Sequence, residues 1–368
     1  MMNGKIFIMG HRSIWLFIIL ASVLTLITFC LSSLDSTLWY KIFQMNMGLQ
    51  TGHAAPITCY DSTTNEIEDI SDVPPEKEDN IFFHETSCSS AAGDGDFVFT
   101  PRQACAVESA AKANPNAEVN VLFLSPIRLK DSSKTKNLAV QALLTYPNIR
   151  FKHVNLEHYV KNTPLEEWYK SQALKKSLWP TSHASDVMRY LTLWKYSGTY
   201  LDLDVVVLKS LHKLKNCAGA ESPRALGAGV INLDSSNIGR TMAASFLHEL
   251  RNTFSGTSWG YNGPGVITRV LQRTCHVKKV QDMTSEHCGG FTVHPPSAFY
   301  PVSFEAWEDY FNANKSEITM KMHTDSYTAH LSNKFSVRKN VIVGSRQPYA
   351  LIAAQHCPEV YATCTSVF

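Results

Sequence analysis

The sequence predicts an α/β fold in which strands and helices alternate around a central sheet. An apolar run, an alanine-rich helical pattern and a second apolar run follow one another early in the globular part, an order typical of α/β sheets. A longer amphipathic helix then leads through a glycine into another apolar run. Roughly 290 residues remain for this globular part once an anchor and a stem are set aside, so one large domain or two lobes around a shared cleft fits.

The individual elements follow from apolar periodicity. Short strands are expected at 80–83 and 119–124 with a helix at 103–112 between them, and further strands at 148–154 and 205–208. The amphipathic helix before Gly198 carries Val187, Leu191 and Trp194 on one face. Its start is expected at Thr181 or Ser182, either of which fits an N-cap.

Two carboxylates one residue apart, Asp202 and Asp204, lie between this helix and the run at 205–208. If the strand includes them, residues at i and i+2 point to the same face, so their oxygens converge. Such paired hard ligands suit Mg²⁺ or Mn²⁺ that also binds phosphate, which indicates a nucleotide-dependent transferase. The alternative is a solvated turn, the usual setting of an isolated Asp-x-Asp.

A second pair of charged residues lies on the amphipathic helix. Asp186 and Arg189 are three residues apart and therefore share a face. The ordinary interpretation is a surface ion pair that contributes little to stability. Because Gly198 turns the chain from this helix towards Asp202, the pair is also placed to lie beside a metal.

The N-terminal segment 13–34 is apolar and carries no charged residue, which predicts one membrane-spanning helix. Lys5 and Arg12 precede it and Asp35 follows it, so the positive-inside rule leaves residues 1–12 in the cytosol and the remainder in a lumen. A cleaved signal peptide is the alternative, but the segment is long for one and no small-x-small cleavage site follows. We therefore expect a type II signal anchor.

Residues 35–79 are predicted to be an exposed stem, since they include an acidic, proline-containing stretch without sustained apolar periodicity. The lumenal catalytic domain is then 80–368. From residue 81 onwards the chain holds 30 of its 34 Lys and Arg and 23 of its 32 Asp and Glu, without a dense basic run. This mild positive excess suits a small anionic ligand and argues against nucleic acid.

Nine cysteines fit an oxidising compartment. Zinc is the competing interpretation, but the chain has no Cys-x-x-Cys and the spacings are irregular. Proximity along the chain favours three disulfides, Cys88–Cys105, Cys275–Cys288 and Cys357–Cys364. Asn314 lies in an N-glycosylation sequon that a lumenal domain would expose to glycosylation.

Several motifs in order carry a family resemblance. The segment Ser185-Asp186-x-x-Arg189-Tyr190, followed by Gly198-Thr199-Tyr200-Leu201-Asp202-Leu203-Asp204, resembles the donor site of retaining glycosyltransferases with Asp-x-Asp motifs. The chain resembles most closely the family of lactosylceramide α1,4-galactosyltransferase and its α1,4-N-acetylglucosaminyltransferase relatives. The further motifs that recur in order are Phe82-Phe83-x-Glu85-Thr86-Ser87, Ala106-Val107-Glu108-Ser109-Ala110-Ala111, Trp259-Gly260-x-x-Gly263-Pro264, Thr268-Arg269-Val270 and Phe299-Tyr300-Pro301.

The resemblance implies a type II Golgi membrane enzyme of GT-A fold, with a central mixed sheet, that uses a UDP-sugar and Mn²⁺ and retains anomeric configuration. Asp202 and Asp204, with His330, would ligate the metal. Asp186 and Arg189 would complete the catalytic set and, with Tyr200, bind the donor sugar or its phosphates.

The acceptor side is expected in the glycine-rich loop that begins at Trp259. Its indole would stack on a sugar face while the glycines allow close approach, so the acceptor residues are predicted to be Trp259, Gly260, Asn262 and Gly263. A tight turn packed by a core tryptophan is an equally good interpretation of the same residues.

The resemblance implies transfer of Gal or GalNAc in α1,4 linkage to a lactosylceramide-like glycolipid. A second copy of the chain, in a homo-oligomer, is a further expected partner. Two other classes compete. One is a catalytically silent lumenal protein that keeps the fold and binds glycans or partner enzymes. The other is a phosphatase of the haloacid-dehalogenase type, in which the first Asp of Asp-x-Asp is a nucleophile at the end of a long apolar strand. A helix and Gly198 precede Asp202 here instead, which disfavours the phosphatase.

Overall fold

The computed structural model describes residues 57, 59–61, 67–77, 79–89, 98–127 and 135–368. The predicted cytosolic tail at 1–12 and anchor at 13–34, with much of the predicted stem, lie outside these residues. Within the described ranges, no helix is both long enough and apolar enough to cross a membrane.

The described strands form one large mixed sheet and a small two-stranded sheet. The strands are β1 (Asn80–Glu85), β2 (Glu118–Phe123), β3 (Ile149–His153), β4 (Gly198–Leu201), β5 (Val205–Val207), β6 (Cys217–Ala220), β7 (Leu226–Leu233), β8 (Thr292–His294) and β9 (Thr328–His330). The large sheet has the order β3-β2-β1-β4-β7-β6-β8, and β5 pairs with β9 in the small sheet. Strands β3, β2, β1 and β4 run parallel, whereas β7 is antiparallel to both β4 and β6. This central mixed sheet confirms the predicted α/β fold class.

The helices cover both faces of the large sheet. They are α1 (Pro101–Ala113), α2 (Leu138–Leu143), α3 (Leu156–Val160), α4 (Glu166–Lys170), α5 (Pro180–Tyr196), α6 (Asn237–Thr253), α7 (Pro264–Thr274), α8 (Pro296–Phe299), α9 (Ser316–Met322), α10 (Asn333–Ser336), α11 (Pro348–His356) and α12 (Pro358–Ala362). One buried apolar cluster joins α1, α2 and α11 to the sheet, and a second joins α5, α6 and α7 to its other face. Since strands of this large sheet have apolar residues on both faces, they read as continuous apolar runs, as parallel strands buried on both sides do.

The predicted helices and strands are found with shifted ends. The amphipathic helix α5 begins one residue before Thr181, with Pro180 in its first turn and no side-chain cap, so the predicted N-cap is wrong. Proline has no amide hydrogen, so at the first helical position it leaves one donor fewer for a side-chain cap to satisfy. Ser197 and Gly198 both have positive φ, 57° and 104°, and they turn the chain from α5 into β4.

The Asp-x-Asp segment is not part of a strand. Asp202, Leu203 and Asp204 form a turn between β4 and β5, closed by a hydrogen bond of 3.0 Å from the Val205 amide to the Asp202 carbonyl. The predicted convergence through strand alternation is therefore wrong. The two carboxylates are brought together because the chain bends between two strands that belong to different sheets.

The disulfides differ from those predicted by proximity. Cys275–Cys288 is present, but the other two bonds are Cys59–Cys88 and Cys105–Cys357. Of the described cysteines, Cys217 and Cys364 are free. The pairing of Cys105 with a residue 252 positions away follows from packing, because α11 and α12 lie against α1.

Part of the predicted stem is packed onto the domain. Ile70 is fully buried, its amide donates to the His153 carbonyl at 3.0 Å, and the Asp69 carboxylate lies 3.2 Å from the His153 Nδ1. The exposed-stem prediction is therefore wrong at Asp69 and Ile70, which lie against the sheet edge beside β3. Other residues of this segment are exposed, namely Glu68, Asp72, Val73, Pro74, Glu76 and Lys77.

Candidate active site

The site lies at the carboxyl edge of the large sheet, where β1 and β4 are neighbours. From β1 the chain proceeds to β2 and β3 on one side, and β4 lies on the other side. In open α/β sheets, such a switch in strand order opens a crevice outside the carboxyl ends of the strands, where ligands bind. Asp202 is the first residue after β4 and therefore lies at this crevice.

Asp202, Asp204 and His330 converge on one point. The β5–β9 ladder pairs Val205 with His330, which carries the imidazole to the Asp-x-Asp turn. One possible ligand atom from each of the three side chains lies within 4.8 Å of the other two, and all three residues are half-buried. The ligand set predicted from the resemblance is thus assembled from two segments more than a hundred residues apart.

Asp204 is fixed by the segment that follows β9. Its Oδ2 accepts a hydrogen bond of 2.6 Å from the Asn333 amide, and its Oδ1 lies 3.3 Å from the Nε2 of His330. Burial alone would raise the pKa of Asp204, but His330 and the Asn333 amide hold it below the usual range. Burial likewise would lower the pKa of His330, but Asp204 and then Asp202 and Glu221 raise it to about 9. The cluster therefore has an excess of negative charge around one imidazole.

The space beside these ligands depends on a glycine of β7. A Cβ on Gly229 would lie 2.9 Å from the Oδ2 of Asp202 and 3.7 Å from the Nε2 of His330, so a side chain there would fill the centre of the ligand group. Two carboxylates and one imidazole suit a divalent cation of the Mg²⁺ to Mn²⁺ type, and no cysteine is among them. The described residues fit such a metal.

Arg189 joins the helix α5 to the metal group. Its guanidinium lies 3.2 Å from an oxygen of Asp186 and 3.2 Å from an oxygen of Asp202, and it donates to the Ala228 carbonyl at 2.6 Å. Asp186 and Arg189 are each 6% exposed, so this is a buried network and not the surface ion pair that the sequence allowed. Burial alone would lower the pKa of Arg189, but Asp202, Tyr200 and Asp186 raise it, so the guanidinium stays charged.

Tyr200 holds Asp202 in place through a hydrogen bond. Its hydroxyl donates to the Asp202 Oδ1 at 2.5 Å, and the Arg189 guanidinium lies 4.7 Å from the centre of its ring. Tyr200 is 1% exposed. The prediction that it binds the donor is therefore wrong for this conformation; it holds a metal ligand instead.

Asp186 is enclosed by the loop that the sequence assigned to the acceptor. A Cβ on Gly263 would collide with the Asp186 carboxylate, so only glycine allows the loop this close. Burial raises the pKa of Asp186 to about 7, Arg189 opposes the rise and Asp202 adds to it. Gly263 therefore allows the loop to enclose the Asp186 carboxylate.

The rest of that loop has mixed roles. Asn262 is fully buried, and its side-chain oxygen and nitrogen bond the amide and carbonyl of Ser255, both at 2.9 Å. It holds the loop together and is inaccessible to an acceptor because it is fully buried, which corrects its predicted role. Trp259 is half-buried, and its indole donates to the Ser182 hydroxyl at 3.2 Å. Gly260 accepts from the Gly265 amide at 3.0 Å and so belongs to the turn.

Lys334 is a site residue that sequence reasoning missed. It follows Asn333, the residue that holds Asp204, and its ammonium lies 3.1 Å from the centre of the Trp259 ring and 5.4 Å from that of Trp179. Burial lowers its pKa to about 8. Lys334 therefore spans the cleft between the metal group and the Trp259 loop and occupies the indole face predicted to receive a sugar. The sequence indicated Lys334 only through its position four residues after His330.

Tyr300 and Gly227 form a second missed feature. A Cβ on Gly227 would collide with the phenol of Tyr300, whose hydroxyl accepts a hydrogen bond of 3.2 Å from the Val230 amide. The Tyr300 ring contacts the His330 ring edge-on, with centroids 5.5 Å apart. Tyr300 thereby fixes the plane of a metal ligand, a role that its place in the Phe-Tyr-Pro motif did not reveal.

Known families match the two halves of this site. Residues 100–223 match the glycosyltransferase sugar-binding region containing the DXD motif, and residues 235–364 match the alpha 1,4-glycosyltransferase conserved region. The first range contains Asp202 and Asp204, and the second contains His330.

Curated relatives align with most of the chain. It is 31% identical over 282 residues to the lactosylceramide 4-alpha-galactosyltransferase of Mus musculus, which covers 77% of this chain and 75% of the relative. It is 28% identical over 267 residues to the alpha-1,4-N-acetylglucosaminyltransferase of Homo sapiens, which covers 70% and 74%. A solved galactosyltransferase with donor and acceptor sugar analogues is 18% identical, covers 78% of this chain and 97% of its own, and has a TM-score of 0.38.

Proposed function

This chain belongs to the alpha 1,4-glycosyltransferase family that includes lactosylceramide 4-alpha-galactosyltransferase, and from that premise we propose that it moves Gal or GalNAc from a UDP-sugar to a glycosphingolipid. The new bond is α1,4, the configuration of the transferred sugar is retained, and the acceptor is a terminal sugar such as that of lactosylceramide. The alternative donor sugar is GlcNAc, because a relative transfers it.

The observation that carries the proposal is the joining of two charged groups at one sheet edge. Asp202, Asp204 and His330 fit a divalent cation, and Arg189 connects that group to the buried carboxylate of Asp186. A cation site with a neighbouring guanidinium suits a diphosphate, while a carboxylate that accepts hydrogen bonds suits sugar hydroxyls. A UDP-sugar has both parts, in that order.

We propose Mn²⁺ as the cation, since an imidazole ligand beside two carboxylates favours Mn²⁺ over Mg²⁺. When bound, it would neutralise the charge that develops on the departing diphosphate. The Arg189 guanidinium is held by two carboxylates, two backbone carbonyls and the Ser185 hydroxyl, so its positive charge is fixed beside the site before the donor binds.

The remaining chain groups orient the two substrates. Asp186 accepts hydrogen bonds from donor hydroxyls inside the enclosure that Gly263 completes. The Lys334 ammonium, which lies on the indole of Trp259, moves to the diphosphate when the donor binds. The uncovered indole face then stacks on the acceptor sugar. The acceptor hydroxyl oxygen attacks the anomeric carbon on the face that the diphosphate leaves, the glycosidic C–O bond breaks, and the hydroxyl proton passes to a diphosphate oxygen. Trapping a covalent glycosyl-enzyme would overturn this same-face route.

We further propose that the enzyme is a type II protein of the Golgi membrane, anchored through residues 13–34, with Asn314 glycosylated. The apolar, uncharged segment 13–34 and the three described disulfides support a lumenal domain. Asn314 is exposed, which makes its side chain accessible for modification.

The test is donor use by the full-length chain in detergent, with Mn²⁺ and lactosylceramide, against UDP-Gal, UDP-GalNAc, UDP-GlcNAc and UDP-Glc. One donor is expected to give an α1,4-linked product. Asp204→Asn is expected to abolish Mn²⁺-dependent UDP binding and transfer while the protein folds, since it removes a ligand without changing volume. The matched control is Asp282→Asn at an exposed position, which should leave both unchanged.

Two outcomes would contradict the proposal. Full transfer by Asp204→Asn would remove the metal assignment. If folded wild-type protein neither binds UDP with Mn²⁺ nor consumes any donor, a catalytically silent glycan- or partner-binding protein replaces the transferase.

A further inference from the structure

One carboxylate near the candidate active site has no role in the description above. Glu221 directly follows β6, and its amide donates to the Ala225 carbonyl at 3.0 Å. The Ser222 amide donates to the same carbonyl at 3.1 Å. These bonds close the turn between β6 and β7 and fix the backbone from which the Glu221 side chain projects.

The topology places this turn at the same edge of the sheet as the metal ligands. Strands β4 and β6 are both antiparallel to β7, which lies between them, so their carboxyl ends lie at one edge. Adjacent strands are about 4.8 Å apart, so the two strand spacings alone separate the backbones of Glu221 and Asp202 by about 10 Å. Their backbone partners, Ala225 just before β7 and Gly229 on β7, add an offset along the strand. Because β1 lies on the other side of β4, Glu221 lies on the side of Asp202 away from β1.

Tyr300 connects Glu221 with the metal group. Its ring packs on His330, and it fills the spaces left by Gly219 and Gly227, the neighbours of Glu221 on β6 and β7. Burial raises the pKa of Tyr300, and among charged groups Glu221 adds the most to the rise. Glu221 therefore lies in the same crevice as Tyr300 and His330.

The carboxylate of Glu221 lacks a hydrogen-bond or ion-pair partner in the part of the chain that the structure describes. Burial raises its pKa, Asp202 adds to the rise and His330 opposes it. An enclosed carboxylate without donors costs free energy, which a ligand with suitable donors would recover. This is the opposite situation from Asp186, whose charge Arg189 already compensates.

The surrounding charge indicates which ligand fits. The proposed donor diphosphate is assigned to the metal group and Arg189, and the negative charge of Glu221 would repel a phosphate placed against its own carboxylate. The ligand group of the metal consists of Asp202, Asp204 and His330, without Glu221. A neutral molecule with hydroxyl groups fits, because a carboxylate accepts hydrogen bonds at two oxygens and can bind two neighbouring hydroxyls.

We propose that Glu221 binds the acceptor sugar and orients it by accepting hydrogen bonds from its hydroxyls. The inference rests on the proposed function and deepens it, because it names the residue that selects the acceptor by its hydroxyl pattern. The predicted acceptor residue Asn262 is bonded within its own loop, so Glu221 is proposed in its place as a polar partner of the acceptor.

The test uses full-length Glu221→Gln and Glu221→Ala in detergent, with lactose as a soluble acceptor. For both variants, the UDP dissociation constant with Mn²⁺ should stay within about twofold of wild type, because no donor contact is lost. The acceptor KM should rise roughly 10-fold to 100-fold in Glu221→Ala and less in Glu221→Gln, which keeps one accepting oxygen. The exposed Glu286→Gln carries the same chemical change and should have wild-type constants.

Deoxy acceptors identify the contact directly. A set of lactose analogues is used, each of which lacks one hydroxyl group. For one of them, the acceptor KM of the wild type should rise about as much as the KM for lactose rises in Glu221→Gln. With the Glu221→Gln variant, that analogue should cause little further loss, since both changes remove the same hydrogen bond. This comparison needs only the isosteric variant, so it holds even if Glu221→Ala fails to fold.

Three results would overturn the assignment. A raised UDP dissociation constant would make Glu221 part of the donor site, and a lost kcat with unchanged acceptor KM that azide restores would make it a nucleophile. If the UDP dissociation constant, kcat and acceptor KM were unchanged in both variants while the wild type still transferred sugar, Glu221 would not bind the acceptor. The proposed function would still stand. Absence of UDP binding by the wild type would instead remove the proposed function, and this inference with it.

Discussion

The proposed donor side and the proposed acceptor side of the candidate active site differ in how many of their polar side chains already have partners. On the donor side, the guanidinium of Arg189 contacts Asp186, Asp202 and a backbone carbonyl, and all three contacts are within 3.2 Å. On the acceptor side, Glu221 has no partner among the described residues, and one face of Trp259 is covered by Lys334. The donor side is thus formed in advance, whereas the acceptor side obtains its partners from ligands.

This difference has a physical reason. A diphosphate and a metal carry full charges, and fixed dipoles and charges stabilise charge best when they need no rearrangement. A neutral acceptor supplies hydroxyl groups that are donors themselves, so a free carboxylate and an aromatic face are sufficient partners. The asymmetry predicts that changes on the donor side affect stability and turnover together, while changes on the acceptor side affect binding alone.

The largest effect is expected for Arg189→Met. It leaves Asp186 as a buried carboxylate without its cation, so the free energy of unfolding should fall by about 3 kcal/mol. Transfer should fall roughly 1000-fold, since a positive charge fixed beside the metal ligands is lost. Thermal unfolding and initial rates with saturating acceptor measure the two effects.

Arg189→Lys is the matched control for that prediction. It keeps the charge but not the planar fork, so it should recover much of the stability and little of the turnover. Wild-type stability in Arg189→Met would break the comparison, because it would show that the donor side is not held by this network.

The next effect is expected for Gly263→Ala. The added Cβ would collide with the Asp186 carboxylate and displace it, so kcat/KM for the donor should fall about 100-fold, as small displacements of substrate-positioning groups do. Gly256→Ala is the matched control, because a Cβ there meets its nearest atom at 3.4 Å, an ordinary contact. Equal donor kinetics in the two variants would show that the Trp259 loop does not position Asp186.

The same asymmetry explains what the sequence could and could not predict. The Asp186–Arg189 pair and the Asp-x-Asp pair are local patterns, so spacing alone brought each to notice, although the reason given for the second was wrong. His330 reaches the metal group through the β5–β9 ladder, a pairing across more than a hundred residues, and only the family resemblance indicated it. Glu221 follows an ordinary apolar strand, and no local pattern distinguishes it from other glutamates.

The fold shows the same limit. Apolar runs predicted β1 and β2 because parallel strands buried on both faces are rich in apolar residues. The Cys105–Cys357 disulfide was missed because it depends on α11 and α12 packing against α1, which proximity along the chain cannot indicate.

A smaller effect is expected for Lys334→Met, which tests the boundary between the two sides. The pKa of Lys334 is lowered to about 8, so the ammonium is present at pH 7 and lost as pH rises through about 8. If Lys334 binds the diphosphate, UDP affinity of the wild type should fall about tenfold between pH 7 and pH 9 relative to Lys334→Met, whose affinity already lacks this contact. Calorimetric titration of UDP with Mn²⁺ at the two pH values measures the difference, and identical pH profiles would confine Lys334 to the Trp259 contact.

The smallest effect is expected outside the site, at Asp69. Like Asp186 its carboxylate has partners, accepting from the amides of Ser71 at 2.8 Å and Asn155 at 2.7 Å and lying 3.2 Å from the His153 ring. Burial alone would raise its pKa, but His153 and these amides lower it from 3.8 to about 2. Its folded pKa lies below the unfolded value, so the stabilisation is present above about pH 4 and is lost as pH falls towards 2.

Asp69→Asn should therefore lower the free energy of unfolding by roughly 1–2 kcal/mol at pH 6 and by much less near pH 2, with transfer kinetics unchanged. Denaturant unfolding at the two pH values measures this, and Asp72→Asn, which alters an exposed aspartate of the same segment, is the control. A carboxylate with a full set of partners contributes to stability wherever it lies, whereas removing Glu221, which has none, should leave stability unchanged or increase it while weakening acceptor binding. If Asp69→Asn and Glu221→Gln lowered stability equally, the distinction between a preformed and a ligand-completed carboxylate would fail.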